Sequence, residues 1–150
     1  MKNAHQKYID LAYKEALKGA QMDEVPIGAV IVKENKVIAK AHNLKEKKQN
    51  ATQHAEIVAI TKASKKINDW HLDGCSLYVP LDPCVMCAGA IIQSRIKEVI
   101  YAAKDKKGGA MESTLSLYEI KGFNHYPKAI YYEDEKCSKI LSNYFKNKRK

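Results

Sequence analysis

Two short motifs constrain the fold of this chain most, because each places metal-binding side chains at the start of a predicted helix. His54-Ala55-Glu56 forms the first motif, and Pro83-Cys84-Val85-Met86-Cys87 forms the second. Cys84 and Cys87 are three residues apart, so their thiols point the same way on a first helical turn. The positive end of the helix lowers thiol pKa values and favours thiolates, which ligate zinc. One ion bound to both motifs would hold two helix N-termini together.

The apolar residues around these motifs recur with helical spacing in some segments and form Val- and Ile-rich runs in others. Ala4, Tyr8 and Ala12 lie on one apolar stripe and predict an opening helix. Segments 27–33 and 36–43 predict an antiparallel hairpin closed by Glu34-Asn35. The remaining predicted elements are strands at 76–79, 98–102 and 129–132, and helices at 54–67, 84–94, 114–120 and 133–148.

The order of these elements predicts the fold class. We expect Thr52 to cap the 54–67 helix, whose apolar residues facing the core are Ile57, Ile60, Ala63 and Ile67. Pro80 cannot donate a ladder hydrogen bond, so the preceding strand is expected to end at Val79. Strands that alternate with helices after the hairpin predict a largely parallel sheet covered by helices on both faces. The predicted class is therefore α/β with three layers.

Length and composition predict one globular domain over residues 1–150. Hydrophobic residues make up 45% and charged residues 29% of the chain, which allows a sizeable core. The apolar runs 25–32 and 85–92 are too short to cross a bilayer, and the opening residues lack a signal-peptide pattern. We therefore expect a cytoplasmic protein without a membrane partner. In that compartment four cysteines indicate metal binding or burial rather than disulfides.

The formal net charge of +9 indicates a polyanionic partner. Excess cationic charge attracts nucleic acids of any sequence, because binding releases the counterions that surround them. The alternative is that the lysines only keep the surface soluble. Charge alone therefore makes nucleic acid a candidate partner without deciding the question.

The number of predicted ligands distinguishes a catalytic metal site from a structural one. His54, Cys84 and Cys87 make three ligands, and catalytic zinc keeps its fourth position open whereas structural zinc has four protein ligands. A fourth ligand from Cys75, Cys137 or His71 is left open by the sequence. Glu56 could move protons beside the metal, or could be an ordinary carboxylate at a helix N-terminus. The cysteine motif favours the first interpretation.

The combination of H-x-E with P-C-x-x-C resembles the zinc-dependent nucleobase deaminases of the cytidine/deoxycytidylate deaminase superfamily. Beyond these motifs, the chain is most similar to the bacterial tRNA adenosine deaminase family, and the similarity covers nearly its whole length. The segments that carry this similarity are 24–30, 41–43, 84–91, 94–96, Asp105, 124–125 and 145–146.

The resemblance implies a three-layer α-β-α cytidine-deaminase-like fold with a mixed five-stranded sheet, a homodimer, and one Zn²⁺ per subunit. It also implies hydrolysis of the wobble adenosine to inosine in a tRNA anticodon loop, with release of ammonia. Glu56 would take a proton from the attacking water and pass protons to the base and to the departing ammonia. Asn43 and the backbone N–H of Ala55 would hold the base. The residues expected to contact the anticodon stem-loop are Asp105, Lys107, Lys146 and Arg149.

Three segments depart from the pattern of that family. Asn-Ala-Thr-Gln at 50–53 replaces Asp-Pro-Thr-Ala, and Pro-Leu-Asp at 80–82 replaces Thr-Leu-Glu. Gly-Ala-Met-Glu-Ser at 109–113 is bulkier than the family's small Gly/Ala segment and adds a carboxylate. These departures leave the zinc motifs intact and bear on the RNA contacts.

Two other functions compete with tRNA deamination. A deaminase of free guanine, cytosine or deoxycytidylate would share both motifs, although it would not need a charge of +9. A non-catalytic RNA-binding module with a structural zinc would need a fourth protein ligand and would leave Glu56 without a role.

Overall fold

The structure of the protein is a computed structural model that describes the backbone of residues 2–148 and the side chains of residues 4–148. Five α-helices, five β-strands and one 3-10 helix occur in this part of the chain. The elements are, in order, α1 (Lys2–Gln21), β1 (Gly28–Lys33), β2 (Lys36–His42), α2 (Lys45–Lys48), α3 (Ala55–Ile67), β3 (Cys75–Val79), α4 (Val85–Gln93), β4 (Glu98–Tyr101), the 3-10 helix (Leu117–Glu119), β5 (Lys128–Tyr131) and α5 (Glu135–Lys148).

The five strands form one mixed sheet in the order β2-β1-β3-β4-β5. Strand β1 pairs antiparallel with β2 and with β3, whereas β3, β4 and β5 are parallel to one another. The predicted antiparallel hairpin is confirmed, and the strands that alternate with helices after it are parallel, as expected. The sequence did not predict the antiparallel pairing of β1 with β3. The mixed five-stranded sheet implied by the resemblance is confirmed.

Helices cover both faces of the sheet, so the three-layer prediction is confirmed. On one face α3 and α4 pack through small and branched residues such as Ala59 and Ile91 against Ile31 and Leu77. On the other face, residues of α1 and α5 pack against the strand side chains that point to this face. The buried cluster on this second face contains Tyr8, Ile9, Ala12, Val30, Val32, Tyr78, Ile100, Ala102 and Cys137.

The sequence predictions of local structure are correct for most elements and wrong in a few details. The Glu34-Asn35 turn is confirmed, and both residues adopt positive φ. Thr52 does not cap α3: its backbone N–H and its hydroxyl both bind Asn50 Oδ1, and His54 occupies the N-cap position. Of the residues predicted to face the core, Ala63 is buried, whereas Ile57, Ile60 and Ile67 are only half-buried. Ala55, Val58 and Ala59 are buried instead.

The region between β4 and β5 contains less helix than expected. The predicted helix at 114–120 is only a 3-10 turn over Leu117–Glu119.

The short helix α2, which no apolar spacing indicated, lies between β2 and α3. Strand β3 ends at Val79, as Pro80 predicted.

The topology brings three strand ends to one edge of the sheet. Strand β2 runs parallel to β3 and β4, because β1 is antiparallel to both β2 and β3. Asn43, Cys84 and Asp105 each follow the carboxyl end of one of these three strands. The carboxyl edge of such a sheet is where α/β proteins bind ligands.

Within residues 2–148, none of the helices combines the length and the apolar character that a membrane crossing requires.

Gly28 allows α1 to pack closely against the sheet, because a Cβ atom there would collide with the carbonyl oxygen of Ala12 and lie 2.6 Å from the Ala16 nitrogen. We expect Gly28→Ala to lower the free energy of unfolding by about 3 kcal/mol, since backbone atoms cannot make room as a flexible side chain can. Urea denaturation measures this. Gly19→Ala is the matched control, because its Cβ would meet His42 Cβ at an ordinary 3.4 Å. Equal stability of both variants would contradict this account.

Candidate metal centre

The first motif lies where α3 begins, and the chain before it is held by backbone hydrogen bonds. His54 has extended backbone angles (φ −72°, ψ 155°) as the N-cap residue, and its carbonyl accepts the Val58 N–H at 3.0 Å. The Leu44 N–H donates to the Gln53 carbonyl at 2.9 Å, which ties this segment to the end of β2. The His54 ring and the Glu56 carboxylate are thereby directed to the carboxyl edge of the sheet.

The second motif forms the start of α4 in the same way. Cys84 is the N-cap residue, with extended angles (φ −69°, ψ 174°), and its carbonyl accepts the Ala88 N–H at 2.8 Å. Its Sγ lies 3.6 Å from His54 Nδ1, and Cys87 Sγ lies 3.5 Å from the same nitrogen. The three donor atoms all lie within 4.8 Å of one another. The structure therefore brings together the three residues that the sequence predicted to be ligands.

The electrostatics of this cluster favour a thiolate at Cys84. Hydrogen bonding from Cys87 lowers the pKa of Cys84 to about 4, with a further contribution from His54. The hydrogen bond to Cys84, together with burial, raises the pKa of the Cys87 thiol above its ordinary value. The hydrogen bond with Cys84 also raises the pKa of His54. A metal ion would displace the remaining protons, because it binds only thiolate and neutral imidazole.

Glu56 lies in the first turn of α3 with only 3% of its surface exposed. Burial raises the pKa of its carboxyl group to about 7. Its Oε1 atom has no hydrogen-bond partner among the described residues. A buried carboxylate oxygen without a partner is costly, and a ligand or a water held beside it would remove that cost.

The donor set fits a metal ion with an open position. Among the described residues, no fourth His, Cys, Asp or Glu atom joins the His54–Cys84–Cys87 cluster. Cys75 begins β3 in the core, and Cys137 packs on the opposite face of the sheet. His71 is exposed and pairs with Asp69 at 2.8 Å. Three protein ligands with a carboxylate nearby is the arrangement of a catalytic metal site.

A small cavity of about 220 Å³ opens beside Glu56. Asn43, Ala55 and Asp105 line it together with His54 and Cys84, so all the predicted base contacts meet here. Val25, Ile27, Leu81 and Phe145 supply apolar walls. The volume lies below the roughly 300 Å³ of typical ligand pockets, which suits one flat base.

A larger groove of about 870 Å³ adjoins the cavity, and both are lined by Leu81, Asp105 and Phe145. The predicted contacts Lys107 and Lys146 line this groove, as do Lys104 and Lys106. Arg149, the other predicted cationic contact, lies outside the described residues. The groove therefore combines apolar surface with cationic groups at the mouth of the cavity.

Comparison with known proteins assigns the family. A family model described as MafB19-like deaminase matches residues 3–149. A tRNA-specific adenosine deaminase of Aquifex aeolicus (strain VF5) is 43% identical over 142 residues, which cover 95% of this chain and 94% of the relative. One from Bacillus subtilis (strain 168) is 42% identical over 144 residues, which cover 95% and 89%. The chain belongs to the tRNA-specific adenosine deaminase family.

Solved structures agree with this family assignment. A structure from a study of A-to-I editing by tRNA:A34 deaminases at the wobble position of transfer RNA matches with a TM-score of 0.82 and 39% identity, covering 85% of this chain and 98% of that chain. A guanine deaminase from Bacillus subtilis matches with a TM-score of 0.64 and 33% identity, covering 79% and 86%. The cytidine-deaminase-like fold expected for a member of the tRNA-specific adenosine deaminase family is thus confirmed.

Six residues that line the cavity of this family member were not among the predicted site residues: Val25, Ile27, Lys45, Leu81, Asp82 and Phe145. The resemblance covers Val25, Ile27 and Phe145 only as parts of longer segments, and Lys45 belongs to the unpredicted helix α2. The sequence could have indicated Asp82, because it directly precedes Pro83-Cys84 and so must lie near the metal ligands. Its partners lie about thirty residues further along the chain and could not be inferred from spacing.

Removing one predicted ligand should remove the metal from this family member. We expect Cys84→Ala to weaken metal affinity by at least about tenfold, because even residues that only hydrogen-bond to metal ligands contribute about 10–100-fold. Elemental analysis after dialysis against a chelator measures the bound metal. Cys75→Ala is the matched control and should keep its metal, since Cys75 lies in the core away from the cluster. Equal metal content in both variants would show that Cys84 is not a ligand.

Proposed function

We propose that this protein hydrolyses the wobble adenosine of a tRNA anticodon loop to inosine and releases ammonia. The observation that carries the proposal is the continuity between the small cavity at Glu56 and the lysine-lined groove. A cavity of this size accommodates one base, and a cationic groove binds the phosphates on either side of it. The family assignment supports the same substrate, because relatives over 40% identical are named tRNA-specific adenosine deaminases.

His54, Cys84 and Cys87 are proposed to hold one Zn²⁺, whose chemistry is to lower the pKa of a water molecule toward neutrality. Glu56 accepts a proton from the water that attacks C6 of adenine. It passes this proton to N1, then takes the second proton from the oxygen added at C6 and gives it to the departing amino group, which leaves as ammonia. The same carboxyl group therefore acts as base and as acid. Its burial excludes bulk water from this transfer.

Asn43 and Ala55 are proposed to hold the base beside Glu56. Asn43 Oδ1 accepts the Lys45 N–H at 3.0 Å, which turns the amide so that its NH₂ group remains available to an acceptor on the base. The Ala55 N–H lies in the first turn of α3, where backbone donors have no partner within the helix. Both groups line the cavity, so a purine with acceptors on its edge fits between them.

The groove is proposed to bind the anticodon stem-loop, with Lys107 and Lys146 on phosphates and Asp105 where the cavity and the groove meet. Arg149 is proposed to extend the cationic surface. A stacked base would be inaccessible at C6, so the adenosine must be splayed out of its loop, which an anticodon loop permits. A tRNA substrate also implies that the protein acts in the cytoplasm.

The experiment that tests this function uses an anticodon stem-loop RNA with a wobble adenosine and zinc-loaded protein. Digestion and mass spectrometry quantify inosine. We expect inosine from the unchanged protein and a rate lower by about 10²–10⁴-fold in Glu56→Ala, the loss expected for a general acid-base group. Binding without inosine would instead support an RNA-binding module.

A free-base deaminase is the second candidate, because the chain is similar to a solved guanine deaminase and shares its fold. A free base would fill the cavity and leave the adjoining groove without a role. The same protein is therefore assayed for ammonia release from guanine, cytosine and deoxycytidylate. Ammonia from one of these, without inosine from the RNA, would replace tRNA by a small molecule as the substrate.

We also propose that the protein is a homodimer that associates around the outer side of α4. Val85 on α4 is 57% exposed, and Ile120 beside the 3-10 helix that contacts α4 is 47% exposed. Exposed apolar side chains on neighbouring elements are typical of subunit interfaces.

We expect light scattering to give a mass of twice the 16.9 kDa chain. Ile120→Lys should shift the protein toward the monomer, since a lysine is costly in an apolar interface. Met22→Lys is the matched control, because Met22 is exposed at the end of α1 instead. A monomeric mass for the unchanged protein would exclude the homodimer.

A further inference from the structure

Asp82 is a fully buried carboxylate that takes no part in the proposed chemistry. It is 1% exposed, and three consecutive backbone N–H groups donate to it: Met111 to Oδ1 at 3.0 Å, and Glu112 and Ser113 to Oδ2 at 3.1 and 2.7 Å. A buried carboxylate is stable only when its oxygens are satisfied. Within the part of the chain that the structure describes, segment 111–113 satisfies both oxygens of Asp82, so the carboxylate and this segment hold each other in place.

Gly109 lets the chain fold tightly around this carboxylate. A Cβ atom at Gly109 would lie 2.6 Å from Asp82 Oδ2 and 2.8 Å from the Asp105 carbonyl oxygen. Segment 80–82 and the loop 109–113 therefore approach each other closely at Asp82.

The segment held by Asp82 in turn holds Asp105. The Asp105 N–H donates to Ser113 Oγ at 3.0 Å. The Asp105 carbonyl accepts the Gly109 N–H at 3.0 Å and the Thr114 hydroxyl at 2.9 Å. Both backbone groups of Asp105 are thus bound by the 109–114 loop, and Asp105 lines both the cavity and the groove.

We propose that Asp82 is a positioning residue for the substrate: acting through Ser113, it holds Asp105 where the cavity meets the groove. The inference rests on the proposed function, since it concerns how the same site binds RNA. Preorganised contacts raise affinity because binding no longer has to order them. Loosening Asp105 should therefore weaken RNA binding while leaving the metal ligands and Glu56 in place.

Asp82→Asn is the informative substitution. Whichever way the new amide turns, its NH₂ group faces at least one of the backbone N–H groups that now donate to a carboxylate oxygen. We expect about a tenfold higher Kd for the anticodon stem-loop, equivalent to about 1.4 kcal/mol, as for one lost charge-assisted hydrogen bond. Fluorescence anisotropy in the Glu56→Ala background measures binding without turnover. In the active protein KM should rise similarly, with kcat changed less than threefold.

Ser113→Ala is a second variant in case Asp82→Asn fails to fold. It removes only the hydroxyl that accepts the Asp105 N–H and keeps the hydrogen bond from the Ser113 N–H to Asp82. It should raise Kd in the same direction with unchanged metal content. Ser116→Ala is the matched control, since the Ser116 hydroxyl makes no hydrogen bond with Asp82 or Asp105. Equal Kd values for Ser113→Ala and Ser116→Ala would overturn the proposal.

A double-mutant cycle tests whether Asp82 acts through Asp105. In an Asp105→Ala background, Asp82→Asn should raise Kd less than twofold further, because the group that it positions is gone. An undiminished tenfold effect there would overturn the proposal and leave the proposed function standing. Failure of the unchanged protein to bind the RNA at all would overturn both.

Discussion

The site depends on the meeting of two helix N-termini at one point above the carboxyl edge of the sheet. Both α3 and α4 pack on the same face and begin with residues in extended backbone, His54 and Cys84. Each helix end carries partial positive charge, so their meeting point favours anionic groups. The Cys84 thiol group and the Glu56 carboxyl group lie at that point.

Burial distinguishes Glu56 from an ordinary carboxylate in a first helical turn. An exposed carboxylate there would only stabilise the helix, whereas Glu56 is buried and one of its oxygens has no partner among residues 4–148. The fold tolerates this cost because the surrounding core, including Ala55 and Ala88, positions the helix independently. A carboxyl group held in this way can exchange protons with whatever occupies the cavity.

The errors in the predicted local structure have physical causes, which the hydrogen bonds of neighbouring segments show. Thr52 has the chemistry of an N-cap, but Asn50 binds both its N–H and its hydroxyl and so removes it from the helix. His54 takes the N-cap position instead, so the helix begins at Ala55. Helix α2 lacks apolar spacing because none of its residues is buried; Glu24 instead accepts the Glu46 and Lys47 N–H groups.

The sequence by itself predicted the fold class, the three candidate ligands and the carboxylate of Glu56, because residue spacing and apolar periodicity are local properties of the chain. Asn43 and Asp105 were indicated only by the resemblance to the deaminase family. Only the tertiary structure decided that Asp82 binds the loop at 111–113 and that the cavity opens into a cationic groove. These features join residues far apart in the chain, and packing rather than spacing sets such distances.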